Sequence, residues 1–109
     1  MSVSLVCEHF SPTPAIEESV EKNVEMMTQK MPRIDDVSVY LAKAGHDFFS
    51  ATMRVHAFGG RTLVSRALNP DLYTAIESAT SKLMKQLRHL KTERLKKRRR
   101  PPNVLVELR

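Results

Sequence analysis

The sequence is poor in the residues that build disulfides, metal sites and membrane spans. Cys7 is the only cysteine, so no disulfide can form within the chain, and no Cys/His cluster has zinc-site spacing. No apolar run approaches the roughly 18 residues of a membrane span. The N-terminus lacks the basic start and apolar centre of a signal peptide. These absences predict a soluble cytoplasmic protein with no cofactor and no metal.

Catalytic patterns are equally scarce. The four histidines are scattered, and none accompanies a paired nucleophile motif. Cys7 and His9 would share one face of a strand, where they are more simply core and edge than a thiol–imidazole pair. Gly59-Gly60 lacks the Lys-Ser/Thr that follows a phosphate loop, so it is better explained as a hairpin turn. We therefore expect a protein that is not an enzyme.

Charge is present in abundance but is unevenly distributed. Residues 1–60 hold five Lys/Arg and eight Asp/Glu, a net charge of −3, whereas residues 61–109 hold thirteen and four, a net charge of +9. A basic half joined to an acidic half predicts a polyanionic partner, which is RNA, DNA or an anionic membrane.

Hydrophobic periodicity predicts six elements in the order β-α-β-β-β-α. Three predicted strands follow the first helix in succession, and Asn69-Pro70 repeats the cap-plus-proline signal that Thr13-Pro14 gives for that helix. We expect an α+β fold, a two-layer sandwich in which a four-stranded antiparallel sheet carries both helices on one face. The apolar stripes of the helices are Ile16, Val20, Val24, Met27 and Met31, then Leu72, Ile76, Ala79, Leu83, Leu87 and Leu90.

The second helix carries the basic charge. Of the nineteen residues 82–100, KLMKQLRHLKTERLKKRRR, ten are Lys or Arg. At 100° per residue, Lys82, Lys85 and Arg88 fall opposite the leucine stripe and should point to solvent. Continued past Leu90, the stripe meets basic residues, which cannot be buried unpaired. The helix should therefore outrun the sheet after about Leu90.

The segment DLYTAIESATSKLMKQLRHLK at 71–91 resembles the second helix of the ribosome hibernation promoting factor and ribosome-associated inhibitor A family. The matches to that family's pattern include Asp71, Tyr73, Lys82 and Gln86, and PTPAI at 12–16 and DFFSATMRVH at 47–56 also fit. The resemblance covers roughly residues 2–95. It implies a ribosome-binding domain at 1–95, followed by a basic C-terminal extension and tail at 96–109.

The resemblance also implies a function. Such proteins bind the small ribosomal subunit through rRNA, occupy the channel for mRNA and tRNA, inhibit translation and preserve idle ribosomes under stress. We expect a monomer when free, with no small-molecule substrate and no membrane partner. By position, the implied rRNA-binding residues are Lys22, Lys30, Arg33, Lys82, Lys85, Arg88 and Lys91. The charged last turns of the second helix add Arg94, Lys96 and Lys97.

Two alternatives remain open. The chain could be a general double-stranded RNA or DNA binding module that is not tied to the ribosome. The basic amphipathic helix could instead lie on a membrane surface, provided that its apolar stripe leaves the fold. The C-terminal segment TERLKKRRRPPNVLVELR at 92–109 resembles neither subfamily end, so the sequence leaves open whether ribosome dimers are promoted or prevented and what the tail Pro101–Arg109 does. Tyr73 is expected to pack in the core rather than to stack on a base, and Met26 lies off its stripe.

Overall fold

A computed structural model describes residues 2–31, 33–57 and 59–99, with residues 91–99 described by their backbone alone. The six predicted elements are all present and in the predicted order. They are β1 (Ser2–Glu8), α1 (Pro14–Lys30), β2 (Ile34–Lys43), β3 (Phe49–Ala57), β4 (Arg61–Asn69) and α2 (Leu72–Arg99). One sheet has the strand order β1-β2-β3-β4.

The pairing of the first strand differs from the prediction. β1 runs parallel to β2, whereas β2, β3 and β4 pair antiparallel, so the sheet is mixed rather than antiparallel throughout. The reason is α1, which returns the chain along the sheet before β2 begins, as any crossover between parallel strands must. Because α2 likewise returns along the sheet after β4, the two helices run in the same direction.

The start of α1 follows its sequence signals. The Ile16 backbone N–H donates to Oγ1 of Thr13 over 3.2 Å, Pro14 occupies the first turn, and Glu17 is the acidic residue there. Each feature satisfies or complements the exposed amides and positive dipole end of the helix. The helix ends at Lys30 with Met31 as its C-cap. The expectation that Pro32 ends it concerns a residue outside the described ranges.

The cap of α2 lies two residues later than predicted. Oδ2 of Asp71 accepts hydrogen bonds from the Thr74 backbone N–H and from its hydroxyl, at 3.3 and 2.6 Å. Asn69, the predicted cap, instead accepts from the Asp71 backbone N–H over 2.9 Å. Pro70 therefore precedes the cap, and the aspartate, a favoured N-cap residue, begins the helix. No described helix is long and apolar enough to span a membrane.

The core lies between one face of the sheet and the two helices. α2 packs over β3 and β4, and α1 packs beside it over β2. Every residue of the two predicted apolar stripes is buried, which confirms both stripes. The largest side chains with almost no exposure are Met27, Leu41, Met53, Ile76, Leu83 and Leu87. Among the described residues no helix packs on the other face of the sheet, which is called the open face below.

Leu83→Ala tests the docking of α2. Leu83 has 0% exposure, so its truncation should lower the free energy of unfolding by about 2–5 kcal/mol. Urea unfolding followed by circular dichroism measures this change. Lys85→Ala, on the exposed side of the same helix, is the matched control and should change the value by less than about 0.5 kcal/mol. Equal effects of the two variants would show that the helix does not depend on its leucine stripe.

Candidate nucleic-acid interface

The outward face of α2 presents basic side chains at intervals of three residues. Lys82, Lys85 and Arg88 are exposed, while Leu83 and Leu87 beneath them are fully buried. The buried leucines fix the rotation of the helix about its axis, so the basic residues are held toward solvent. This arrangement supplies positive charge on a rigid element, which suits contact with a phosphate backbone.

Lys82 has a second role at the edge of the sheet. Its Nζ donates to the backbone oxygen of Arg66 over 2.9 Å, and Nε2 of Gln86 donates to that of Val64 over 3.0 Å. Both carbonyls belong to β4, which is the last strand in the order β1-β2-β3-β4, so within the described part of the chain no further strand pairs with its outer backbone groups. Covering such an edge protects it from pairing with another chain. Lys82 is thus partly a structural residue, which the helical periodicity did not reveal.

A groove of about 580 Å³ runs between the two helices, lined from Ala15 to Met26 on α1 and from Tyr73 to Ser81 on α2. Its lining includes Glu18 and Lys22 from α1 and Tyr73 and Glu77 from α2. Nζ of Lys22 lies 3.1 Å from Oε1 of Glu18, so a carboxylate already neighbours this lysine. With two glutamates and one lysine in the lining, this part of the helical layer has a negative formal net charge.

The charge reverses toward the other end of the same layer. Lys85 follows Ser81 by four residues and Lys30 follows Met26 by four, so each continues one wall of the groove by a turn. Arg33 lies just beyond the end of α1 and is exposed, as are Lys30 and Lys85. We call Lys30, Arg33, Lys85 and Arg88 the basic end of the helical layer. Lys22, which is also a predicted rRNA contact, lies in the groove instead, so the fold separates it from these four residues.

The remaining predicted contacts lie further along α2. The side chains of Lys91, Arg94, Lys96 and Lys97 are outside the described set, as is the tail from Arg100 onward. The backbone remains helical to Arg99, and 28 residues span about 42 Å, against about 30 Å for the nine residues of β4. The helix is therefore longer than the strand that it covers, as expected for a helix that outruns the sheet.

Tyr73 departs from its predicted position. It is 39% exposed and lines the groove between the helices, instead of packing against the sheet as expected. It lies one residue after Leu72, which is buried, and a single helical step of 100° takes it out of the core. Met26 is exposed to the same extent, as its position off the apolar stripe predicted.

Two titratable groups have shifted pKa values. Burial and, to a smaller degree, the nearby Glu17 carboxylate raise the pKa of the Cys7 thiol, which keeps it protonated. The hydrogen bond from Oγ of Ser2, at 2.7 Å, lowers the pKa of the Asp36 carboxyl. Within the described ranges, no group of three or more His, Cys, Asp or Glu side chains is placed to hold a metal ion.

Comparison with known proteins identifies the family of the chain. Residues 3–95 match the model of the family described as Sigma 54 modulation protein / S30EA ribosomal protein. The chain belongs to this family. Among curated proteins, a ribosome hibernation promoting factor from Acinetobacter guillouiae is 29% identical over 98 residues, which cover 80% of this chain and 84% of that protein. The family resemblance seen in the sequence is thereby confirmed.

Solved structures of similar proteins have the same fold. A ribosomal subunit interface protein from Coxiella burnetii superposes with a TM-score of 0.77 at 20% identity, covering 84% of this chain and 99% of that one. The N-terminal domain of Protein Y from Thermus thermophilus gives a TM-score of 0.73 at 26% identity, covering 83% and 99%. These two proteins therefore share the fold described above for this chain.

Lys85→Gln tests the phosphate-binding role of the basic end. Its side chain is exposed, so the substitution should leave the melting temperature unchanged. If Lys85 contacts a phosphate, the slope of log K against log salt for a short RNA duplex should fall in magnitude by about one. Fluorescence anisotropy over a salt series measures this slope. An unchanged slope would remove Lys85 from the interface.

Lys82→Met is compared with Lys85→Gln to test whether Lys82 also stabilises the sheet edge. Both variants lose one positive charge, but only Lys82→Met also loses the hydrogen-bond donor to the Arg66 carbonyl. It should lower the free energy of unfolding by about 1 kcal/mol, the net value of one hydrogen bond. A loss of affinity in this variant would then combine a charge effect with a loosened sheet edge. Equal stability of the Met and wild-type proteins would contradict the edge-covering role.

Proposed function

We propose that this protein is a ribosome-associated hibernation factor that binds the small subunit through rRNA. In that position it occupies the channel for mRNA and tRNA and keeps idle ribosomes out of translation. It acts without catalysis, by occupancy alone, and its partner is the ribosome rather than a small molecule. The ribosomal partner also implies a cytoplasmic location.

The observation that carries this proposal is the division of α2 into a buried apolar side and an exposed basic side. The leucine stripe is fully packed, so the membrane-surface alternative would have to expose residues such as Leu83 and Leu87, which have 0% exposure. That exposure would cost several kcal/mol per side chain in a small domain. A docked helix with outward Lys85 and Arg88 fits a phosphate backbone instead.

Membership of the S30EA family supplies the ribosomal part of the proposal. A relative that covers most of this chain is named a ribosome hibernation promoting factor, and a structural neighbour is named a ribosomal subunit interface protein. Phosphate contacts carry no sequence information. Affinity for RNA alone therefore does not select the ribosome, and the shape of the rRNA site must supply the selection.

The mechanism follows from charge and rigidity. The basic end of the helical layer approaches rRNA and releases counterions, which gives an affinity that falls steeply with salt. The acidic groove around Glu18 and Glu77 repels phosphate and so restricts the orientations in which the domain can dock. Once docked, a folded domain in the channel excludes mRNA and tRNA sterically.

Sucrose-gradient sedimentation with purified ribosomes and separated subunits tests the proposal. Wild-type protein should migrate with the small subunit and with whole ribosomes at low salt, and should leave both as salt is raised. Lys85→Glu should release the protein at a lower salt concentration, whereas Lys85→Arg, which keeps the charge, should behave as wild type.

The gradient also separates the competing functions. Protein that stays at the top of the gradient while still binding naked RNA would contradict the proposal and indicate a general nucleic-acid-binding module. Protein in the large-subunit peak alone would contradict the small-subunit assignment. A shift of whole ribosomes into a dimer peak would assign the chain to the dimer-promoting subtype.

A further inference from the structure

The open face of the sheet has an exposed tyrosine at its centre. Tyr40 is on β2, an inner strand, and is 46% exposed. In the strand register, Tyr40 lies between Val6 of β1 and Thr52 of β3, and Thr52 pairs with Arg66 of β4. An aromatic ring in the middle of a sheet, with no helix above it, is a surface on which a planar group can stack.

The ring borders a depression of about 590 Å³. Its lining includes the small side chains of Ala42, Ser50 and Thr52 together with Tyr40 and Arg66, and one acidic and one further basic residue, Glu8 and Lys43. A planar group seated there would contact an aromatic ring and a guanidinium together.

Two arginines supply positive charge beside the ring. Arg54 lies two residues along β3 from Thr52 and therefore shares its face with Arg66, and both are exposed. Neither forms an ion pair within the described residues. The acidic residues of this face, Glu8 and Asp36, lie on β1 and β2, so the β3–β4 half is the positive half.

This positive half adjoins the basic helix. Lys82 of α2 donates to the backbone oxygen of Arg66, so its ammonium lies at the β4 edge, between the outer face of α2 and the open face. Positive charge therefore continues around that edge from the helical layer to the sheet. A polyanion bound along α2 can follow this path onto the open face.

A protein partner fits this face less well. The exposed apolar side chains of β4, Val64 and Leu68, are separated by Arg66. Arg54 lies opposite Val64, and Ser50 lies opposite Leu68. On β3 and β4 the apolar groups are therefore interrupted by guanidinium and hydroxyl groups, and the exposed Val6 beside Tyr40 adds one apolar neighbour rather than the large continuous patch that marks a protein interface.

We propose that the open face of the sheet is a second RNA-binding surface, which takes single-stranded RNA by stacking a base on Tyr40 and contacting phosphates with Arg54 and Arg66. This inference rests on the proposed function, because it takes RNA as the partner. The two surfaces would contact different parts of the RNA, since the basic end of the helical layer contacts the phosphate backbone alone. The open face needs an unpaired base whose ring is accessible.

Two RNA probes of equal length distinguish the surfaces. One is a single-stranded oligoadenylate of about 12 nucleotides, within the site sizes of known single-strand binders, and the other is a duplex of the same length. Tyr40→Ala should weaken binding of the single strand by about 5- to 150-fold and leave duplex affinity unchanged. Tyr40→Phe keeps the ring and should retain affinity, whereas Tyr40→Leu should not.

The intrinsic fluorescence gives a direct reading of stacking. The chain has two tyrosines and no tryptophan, so Tyr73→Phe leaves Tyr40 as the sole fluorescent reporter. Adding the single strand to this variant should quench the emission, and adding the duplex should not. Tyr73→Ala is the matched control for the affinity series, because it removes a similarly exposed tyrosine from the acidic groove and should leave both affinities unchanged.

Several outcomes would overturn the inference. Single-strand affinity that is equal in Tyr40→Ala and wild type, with no quenching, would confine RNA to the helices. A loss of ribosome binding in Tyr40→Ala without a loss of single-strand binding would indicate that the face docks on protein. Ribosome co-sedimentation that depends on Lys85, together with single-strand binding that does not depend on Tyr40, would overturn this inference and leave the proposed function intact. Tyr40-dependent RNA binding without ribosome association would support this inference and contradict the proposed function.

Discussion

The burial of the α2 leucine stripe against β3 and β4 is the contact on which the rest of the structure depends. It completes a small core, and it also fixes the rotation of α2 about its axis. That rotation places Lys85 and Arg88 in solvent and brings Lys82 and Gln86 over the outer carbonyls of β4. A rotation of one residue would bury charge and uncover the edge strand, so core packing and surface charge are coupled.

The helical layer combines two electrostatic regions within one rigid unit. Glu18 and Glu77 line the groove near the start of both helices, whereas Lys30 and Lys85 continue its walls toward the other end. Because the helices run in parallel, residues of like charge come together at each end. A docking surface with a repulsive region and an attractive one restricts orientation as well as attracting a partner. A uniformly basic surface would bind RNA without such a restriction.

The open face extends this picture to the opposite side of the domain. Arg54, Arg66 and Tyr40 belong to strands whose inward residues form the core, so their positions are set by the same pleat that buries Met53 and Val39. Taken together, the two proposals describe a domain that engages RNA from two sides, by backbone contacts on its helices and by a stacking ring on its sheet.

The sequence by itself determined the order of the elements, both apolar stripes and the outward direction of Lys85 and Arg88. These features follow from local periodicity, which depends only on neighbouring residues. Only the tertiary structure decided the parallel pairing of β1, the bond from Lys82 to the Arg66 carbonyl and the grouping of Tyr40 with Arg66. Each of these depends on residues far apart in the chain, and their register is fixed when the sheet and the helices pack together.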